Sequence, residues 1–324
     1  MNLYKTKKYL TNIDGVKKKL EKYGVAIIPS LLNENECNAM RNGMWDYLET
    51  ITKDFDIPID RNDNKTWNQL LKLWVKHSML IQQWKIGHAQ FIWNLRQNPK
   101  IVNIFSKIWN TKPEDLLVSF DGASFHMPPE ITKKGWFRGK TWLHTDQSYT
   151  RNNLECIQSW VTANDVNKGD ATLAFYEKSN RYHEDFQKKF DIKDKSDWFV
   201  LKEQKYKDFY LKKGCKLQYI KCPAGSLVLW DSRTIHCGQE ALKEREKPNI
   251  RCVSYLCYTP RNRSTDNNLK KKIKAFEEMR TTNHWPHKQK LFPKKPRTYG
   301  QEIAPIADIS APTVNELGKK LIGY

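Results

Sequence analysis

Between about residues 115 and 260 the sequence is a succession of short β-rich runs separated by turn residues. Runs of this length, rich in β-branched and aromatic residues and bounded by Gly, Pro, Asn or Asp, predict strands. The runs that qualify are Leu116–Phe125, Trp142–Asp146, Ile157–Ala163, Ala171–Tyr176, Lys216–Lys221, Leu227–Asp231 and Arg251–Tyr258. Several short strands at regular spacing predict a sandwich or jelly roll, so the expected fold class is mainly β with α.

The first third of the chain is expected to be mostly helical, with one early strand. Asp14 is positioned to cap a short helix, and the apolar run Val25–Ile28 predicts a buried strand. Asn33 and Glu36 have the spacing of a capping box, which predicts the start of an amphipathic helix. Apolar residues between 66 and 110 are spaced like those of packed helices.

The later segments predict additions to the β-rich core. A charged stretch at 185–215 predicts a helical insertion, and a basic helix around Leu269–Met279 precedes a tail of low regularity. We expect one domain over residues 1–324. Its expected parts are a mostly helical segment at 1–110, a core at 115–260 and a basic C-terminal extension at 261–324 that wraps the core.

Composition bears on compartment and partners. The start MNLYKTKKYL lacks the apolar core of a signal peptide, no run approaches 18 apolar residues, and the seven Cys form no CxxC pair. A cytoplasmic, reducing setting without a membrane span is therefore expected. The net charge of +20 permits attraction to phosphates, nucleic acid or an anionic membrane surface. Because lysine is abundant throughout, a compositional bias explains the charge equally well, and the oligomeric state is not indicated.

His144 and Asp146, in the segment WLHTDQS, are candidate metal ligands. Residues i and i+2 of a strand project from the same face, so the imidazole and the carboxylate would stand side by side. A third ligand is expected from a later strand, and His236 follows the run Leu227–Asp231. Two histidines and one carboxylate form the facial triad of non-haem iron(II) oxygenases, which leaves positions open for co-substrate and oxygen. A closed zinc site would need a fourth ligand, and Cys237 would point to the opposite strand face.

Arg251 stands at the start of the last β-rich run, fifteen residues after His236. A guanidinium binds a carboxylate through two parallel hydrogen bonds, as the distal carboxylate of 2-oxoglutarate requires. Arg251 is therefore the candidate anchor for this co-substrate. A surface ion pair is the alternative for any single arginine.

These residues resemble the phytanoyl-CoA dioxygenase family over about residues 15–260. The resemblance rests on the order and spacing of several segments, namely YGVAIIPSLLNENEC, HTD, Trp160, the stretch from Asn164 to Leu173, the Ser179–His183 region, PAGSLVLWDSRTIHCG and Arg251. It implies a double-stranded β-helix, a cupin-like jelly roll, with iron(II) held by His144, Asp146 and His236. It also implies 2-oxoglutarate contacted by Arg251 and Trp160. The implied reaction uses O2, releases succinate and CO2, and hydroxylates a C–H bond of the substrate.

The sequence departs from the family pattern after the distal histidine. Cys237-Gly238-Gln239 stands where many members have a small hydroxyl residue, and the loop to Arg251 is longer than usual. The secondary contacts to 2-oxoglutarate are therefore open. The other histidines are expected to be structural, loop or surface residues, and Asp121 and Asp165 to be turn or cap residues. These histidines are His77, His88, His126, His183, His284 and His287.

The sequence does not select a substrate. Acyl-CoA thioesters, small metabolites, modified amino acids, protein side chains and nucleobases are all open. A basic loop with Lys133, Lys134, Arg138 and Lys140 favours an anionic, CoA-like or nucleotide-like substrate if it lies beside the pocket, and a solvated loop is the alternative. Two other functions also stay open, a jelly-roll metalloenzyme that does not use 2-oxoglutarate and a catalytically silent basic binding protein.

Overall fold

The computed structural model describes residues 3–324. The strands are β1 (Val25–Ile28), β2 (Leu80–Ile81), β3 (Leu116–Val118), β4 (Ala123–His126), β5 (His144–Thr145), β6 (Ile157–Thr162), β7 (Thr172–Tyr176), β8 (Phe199–Val200), β9 (Leu217–Tyr219), β10 (Leu227–Asp231), β11 (His236–Gln239) and β12 (Arg251–Pro260). The α-helices are α1 (Val16–Tyr23), α2 (Glu34–Ile51), α3 (Gln90–Arg96), α4 (Pro99–Trp109), α5 (Pro129–Thr132), α6 (His183–Phe190), α7 (Gln204–Lys212), α8 (Asp266–Glu277) and α9 (Glu316–Ile322). Among the described residues, no helix is both long and apolar enough to span a bilayer.

Two antiparallel sheets face each other. The larger has the order β1-β10-β6-β12-β4-β2, with β3 also paired to β12, and the smaller has the order β8-β5-β11-β7-β9. Strand alternation sends Trp160, Val228 and Val253 of the larger sheet into one buried cluster with Leu173 and Phe175 of the smaller sheet. The mainly β jelly roll predicted from the sequence is confirmed.

Helices cover the outer face of the larger sheet. Val161 and Leu229 alternate with the inward-facing residues of their strands and are buried against Met44 and Leu48 of α2 and Phe105 of α4. Burying each such side chain contributes about 1.5–3 kcal/mol of free energy, which stabilises the contact between the helical layer and the sheet. The N-terminal helices therefore support the sheet from behind.

The predicted N-terminal caps have different outcomes. The capping box of α2 is confirmed, because Asn33 Oδ1 accepts from the Glu36 amide at 2.9 Å and Glu36 Oε2 accepts from the Asn33 amide at 2.8 Å. The cap predicted at Asp14 is wrong. The Asn12 side chain accepts from the amides of Asp14 and the next residue in the turn before α1. With those amides already satisfied, the Asp14 carboxylate pairs with Lys107.

The predicted charged insertion covers the outer face of the smaller sheet. It contains α6 and α7, and their residues Phe186 and Tyr210 pack against Ala174 and Cys237. Between these helices the chain forms β8, an edge strand beside β5. This strand was not predicted, because two residues are too few to show an alternating pattern.

The predicted strand Leu116–Phe125 is wrong in one respect, since it is two strands. β3 pairs with the segment Tyr258–Pro260, whereas β4 pairs with the segment Arg251–Ser254. Between them, a Cβ built on Gly122 would lie 2.0 Å from the carbonyl oxygen of Ile81. The strand is interrupted where the backbone passes this close to a neighbour, and composition does not reveal such an approach.

One buried arginine holds the long loop between β11 and β12. Arg245 donates to Glu130 Oε1 at 2.7 Å and to Asp170 Oδ1 at 3.2 Å, and its side chain is 1% exposed. The Leu242 amide also donates to the Gly169 carbonyl at 2.8 Å. These bonds fix the loop that leads into Arg251 at the start of β12.

We expect Arg245→Gln to lower the free energy of unfolding by about 3 kcal/mol or more, because it leaves the buried Asp170 carboxylate without its cation. Urea unfolding followed by circular dichroism measures this change. Arg138→Gln, at an exposed position, is the control and should stay within about 0.5 kcal/mol of the parent protein. A loss below about 1 kcal/mol for Arg245→Gln would contradict the role given to this ion pair.

Candidate metal centre

His144, Asp146 and His236 meet between the two sheets. His144 of β5 is the register partner of His236 of β11. The predicted strand at Trp142–Asp146 is shorter than expected, and Asp146 follows its end, where its amide donates to the Ser232 carbonyl at 3.0 Å. His144 Nε2 lies 3.4 Å from Asp146 Oδ1, and His236 Nε2 lies 3.2 Å from Asp146 Oδ2. One ligand atom from each residue lies within 4.8 Å of the other two, and all three residues are buried.

Backbone carbonyls fix the orientation of both imidazoles. His144 Nδ1 lies 3.0 Å from the Trp142 carbonyl oxygen, and His236 Nδ1 lies 2.9 Å from that of Thr234. A carbonyl only accepts, so each Nδ1 donates and each Nε2 presents its lone pair to the centre. Stacking adds a second restraint, because the Trp142 ring lies 4.7 Å from the His144 ring at 8° and 4.0 Å from the His77 ring at 4°.

The protonation states suit a metal ligand set. Burial acts to raise the pKa of Asp146, but the neighbouring His144 and His284 outweigh it and hold the pKa well below its usual range. Gln158 Nε2 also donates to Asp146 Oδ2 at 2.9 Å. Burial and then the neighbouring His144 lower the pKa of His236, which keeps this imidazole neutral at neutral pH. The site thus offers a carboxylate and a neutral imidazole without having to release a proton.

The donor set fits iron(II). Two nitrogen donors and one oxygen donor converge, and within residues 3–324 no fourth His, Cys, Asp or Glu joins this group. Cys237 packs into the aromatic cluster on the outer face of the smaller sheet, the opposite strand face, as the sequence predicted. A site with three protein ligands keeps coordination positions open, as an oxygenase requires and a closed structural zinc site does not.

Arg251 faces the same space from the larger sheet. The residue is 7% exposed, and its guanidinium donates to Ser124 Oγ at 2.9 Å and to the Ala171 carbonyl at 3.0 Å. Among the described residues, no carboxylate forms an ion pair with it. Because a buried charge without a partner is costly, an anionic ligand would stabilise this guanidinium.

Trp160 lies beside Arg251, with its ring centroid 5.3 Å from Arg251 Cζ. Its indole Nε1 is buried and has no acceptor in the described part of the chain. Gly238 is also in the cavity wall, so the segment that departs from the family pattern contributes no hydroxyl there. The fixed guanidinium and the free indole N–H fit the distal carboxylate of 2-oxoglutarate.

The three candidate metal ligands, Arg251 and Trp160 line one cavity of about 380 Å³ between the sheets. Its outer wall comes from three segments that are distant in the chain, at 76–82, 196–198 and 283–292. The third segment folds back as a hairpin, in which the Asn283 amide donates to the Lys290 carbonyl at 2.9 Å. The helical part, the charged insertion and the C-terminal extension therefore each contribute to the cavity.

The sequence did not predict this outer wall. His77 and His284 were expected to be structural or surface residues, but both line the cavity, and His284 Nε2 is buried with no partner among the described atoms. Asp121 accepts from the Gly122 amide at 2.7 Å, as a turn residue does, yet it also lines the cavity, and burial raises its pKa. The cluster of His and Trp in the tail sequence HWPH was the one available signal.

Other expectations have simpler outcomes. Asp165 is a cap residue as predicted, because its Oδ1 accepts from the Ala224 amide at 2.8 Å. His126 is not in a loop but in β4, where its Nε2 contacts the Gly135 carbonyl at 3.0 Å. The remaining histidines are buried outside the cavity wall, as structural residues are. They are His88, His183 and His287.

The basic loop is a solvated loop, as the sequence allowed, and does not lie in the wall of the pocket. The loop is tied instead to the segment after β11, where the Phe137 amide donates to the Ala241 carbonyl at 2.9 Å. Its four cations are absent from the cavity wall, and all four are exposed. They are Lys133, Lys134, Arg138 and Lys140.

Comparison with known proteins then decides the family. A family model described as phytanoyl-CoA dioxygenase (PhyH) matches residues 20–242, which is more than half of the chain. The chain belongs to the phytanoyl-CoA dioxygenase family. It is an iron- and 2-oxoglutarate-dependent dioxygenase, as the resemblance of its motifs implied.

Relatives of this family member are distant. Ava biosynthesis cluster protein O of Aspergillus versicolor is 26% identical over 243 residues, which cover 73% of this chain and 75% of that protein. Hypothetical protein JW0805 from Escherichia coli matches with a TM-score of 0.58 and 13% identity over 99% of this chain and 86% of its own. GIG2, the product of GlcNAc Inducible Gene 2 of Candida albicans, matches with a TM-score of 0.52 and 13% identity. The match covers 81% of this chain and 67% of the GIG2 chain. These two structural likenesses concern the fold alone.

We expect Asp146→Ala to weaken iron(II) binding by at least about a hundredfold, since changes outside the direct ligands already cost 10–100-fold in comparable sites. Anaerobic calorimetric titration with iron(II) measures the affinity. Asp54→Ala, at an exposed position in a turn, removes the same charge elsewhere and should bind like the parent protein. Unchanged affinity in Asp146→Ala would exclude this carboxylate as a ligand.

The stacked rings yield a second expectation for the metal centre. Trp142→Ala should weaken iron(II) binding by about tenfold, because His144 loses the ring that restrains its orientation. Trp142→Phe keeps an aromatic face and should bind within about threefold of the parent protein. The same titration compares the two variants, with thermal unfolding as a check on folding. Equal affinities in both variants would show that stacking does not position His144.

Proposed function

We propose that the protein hydroxylates a C–H bond of a small-molecule substrate, with iron(II) bound by His144, Asp146 and His236 and 2-oxoglutarate anchored by Arg251. One observation carries the proposal. A buried guanidinium that has no carboxylate partner within residues 3–324 lies in the same cavity as a His–Asp–His group whose imidazole nitrogens are already oriented. The first feature calls for an anion and the second for a metal.

The chemistry in this proposal belongs to the bound cofactors. When bound, iron(II) and 2-oxoglutarate reduce dioxygen, so that 2-oxoglutarate leaves as succinate and CO2 with one oxygen atom, and the other atom enters the substrate C–H bond as a hydroxyl group. Both oxygen atoms and the electrons from the oxidative decarboxylation are accounted for. No further reductant is needed.

The side chains of this protein position the reactants. Arg251, held by Ser124 and the Ala171 carbonyl, fixes the distal end of 2-oxoglutarate, and Trp160 offers its free N–H beside it. Gln158 holds the Asp146 carboxylate in place through the hydrogen bond to Oδ2. The surrounding aromatic side chains limit the access of water to the centre.

We expect Arg251→Gln to bind 2-oxoglutarate at least about thirtyfold more weakly while it retains iron(II), because a buried, hydrogen-bonded charge contact is worth 2 kcal/mol or more. Anaerobic titration of the iron(II)-loaded protein with 2-oxoglutarate measures this change through the visible charge-transfer band of a chelated keto acid. Arg138→Gln is the control, because its side chain is exposed and lies outside the cavity wall.

The same titration tests the alternatives. A metalloenzyme that does not use 2-oxoglutarate would bind iron(II) without forming the band, and a catalytically silent protein would form no succinate in air with any substrate. If Arg251→Gln gave the band at the same concentration of 2-oxoglutarate as the parent protein, the anchor would lie elsewhere. Loss of the band in Arg251→Gln with iron(II) retained supports the proposal.

A further inference from the structure

The mouth of the cavity carries side chains that the proposed function does not use. Arg251, Trp160 and Leu173 are buried residues of the cavity wall, whereas Lys76 and Lys290 line the same cavity and are exposed, so they mark its mouth. The proposed metal ligands line this cavity too and are buried. A substrate that enters the cavity therefore passes the mouth first and reaches the metal centre from there.

Two cations at this mouth have no acidic partner in the described part of the chain. Lys76 Nζ lies 5.9 Å from the ring centroid of Phe292, and Lys290 stands two residues before that ring. The acid at the mouth, Asp197, is already neutralised by Arg151 and by Lys288 at 3.4 Å. The mouth therefore keeps a net positive charge that is available to a ligand.

An exposed indole stands at the same mouth. Trp198 is 56% exposed although it lines the cavity, and its ring centroid lies 6.1 Å from that of His144 at 55°. Exposed aromatic side chains at the rim of a pocket supply a large contact area for a bound ring at low cost in conformational entropy. Phe292 adds a second ring on the tail hairpin. A flat ring held here lies beside the metal centre.

The hairpin at 283–292 also lies outside residues 20–242, the part that matches the family. Its base is held by tertiary bonds, since the Phe120 amide donates to Thr282 Oγ1 at 3.1 Å and the Thr282 amide donates to the Phe120 carbonyl at 2.9 Å. The cation and the ring that it contributes therefore lie outside the part that matches the family.

We propose that the substrate is a small molecule with an aromatic or heteroaromatic ring and an anionic group, either a carboxylate or a phosphate. The ring packs against Trp198 and Phe292, and the anion pairs with Lys76 and Lys290. This inference rests on the proposed function, because the position of Trp198 beside His144 places a substituent of the ring next to the iron. In this proposal Lys76 and Lys290, and not the basic loop at 133–140, provide the selectivity for anions.

Calorimetry with defined probes tests this substrate class. Indole-3-acetate and phenyl phosphate are the anionic probes, and indole-3-acetamide is the neutral match of the first. The protein is loaded anaerobically with iron(II) and saturating 2-oxoglutarate, so that Arg251 is occupied and the charge-transfer band is present. We expect at least one anionic probe to bind at least about tenfold more tightly than the amide, because it meets two lysines that have no acidic partner among the described residues. The anionic probe that binds more tightly shows whether the anionic group of the substrate is a carboxylate or a phosphate.

Variants locate the binding. The double variant Lys76→Gln/Lys290→Gln should lose the preference for anions. Trp198→Ala should weaken the binding of all three probes. Lys133→Gln/Lys134→Gln is the matched control outside the cavity and should bind like the parent protein. The variants at the mouth should all keep the charge-transfer band, which shows that they fold and bind both cofactors.

The outcomes separate this inference from the proposed function. If the band forms but neither indole-3-acetate nor phenyl phosphate binds more tightly than indole-3-acetamide, this inference is overturned but the proposed function is not. The same holds if the double lysine variant keeps its preference for anions, or if a probe displaces 2-oxoglutarate and abolishes the band. If the parent protein forms no band with iron(II) bound, the proposed function fails, and this inference fails with it.

Discussion

The antiparallel pairing of β5 with β11 positions the rest of the site. It makes His144 and His236 register partners, and strand alternation turns both toward the interior while Cys237 packs outward. On the facing sheet the same alternation turns Trp160 and Arg251 inward. Because packed sheets lie about 10 Å apart, groups on the two inner faces share one cavity. The candidate metal ligands and the Arg251 guanidinium of the facing sheet thus line one cavity, as binding of a single small keto acid to both would require.

The layers outside the sheets keep this geometry rigid. Helices α2 to α4 bury the outer face of the larger sheet, and the insertion buries that of the smaller sheet. Arg245 fixes the loop before Arg251, and the Trp142 ring restrains His144. Orientation of ligands and co-substrate before they bind is what a protein contributes when the cofactor performs the bond breaking.

The core of the site could be predicted from the sequence because its determinants are local. His144 and Asp146 are two residues apart and meet although Asp146 lies just past the end of β5, and chain order places His236 and then Arg251 on later strands. The jelly roll followed from the spacing of short β-rich runs, although the break at Gly122 did not, because a close backbone approach leaves no compositional signal.

The mouth of the cavity could not be predicted because tertiary contacts assemble it. Lys76, Trp198 and Lys290 come from three segments with no shared periodicity, and the tail hairpin is held by bonds such as that from the Phe120 amide to Thr282. The net charge of +20 gave no guidance, since lysines on the exposed loop and lysines at the mouth look alike in the sequence. Their difference lies in position, because only Lys76 and Lys290 line the cavity.

The most direct test of this account is a crystal structure grown anaerobically with iron(II) and 2-oxoglutarate and measured on both sides of the iron absorption edge. The account predicts one anomalous peak within bonding distance of His144 Nε2, His236 Nε2 and an Asp146 oxygen, with the distal carboxylate of 2-oxoglutarate on the Arg251 guanidinium. Iron at another position, a fourth protein ligand, or a keto acid bound away from Arg251 would contradict it.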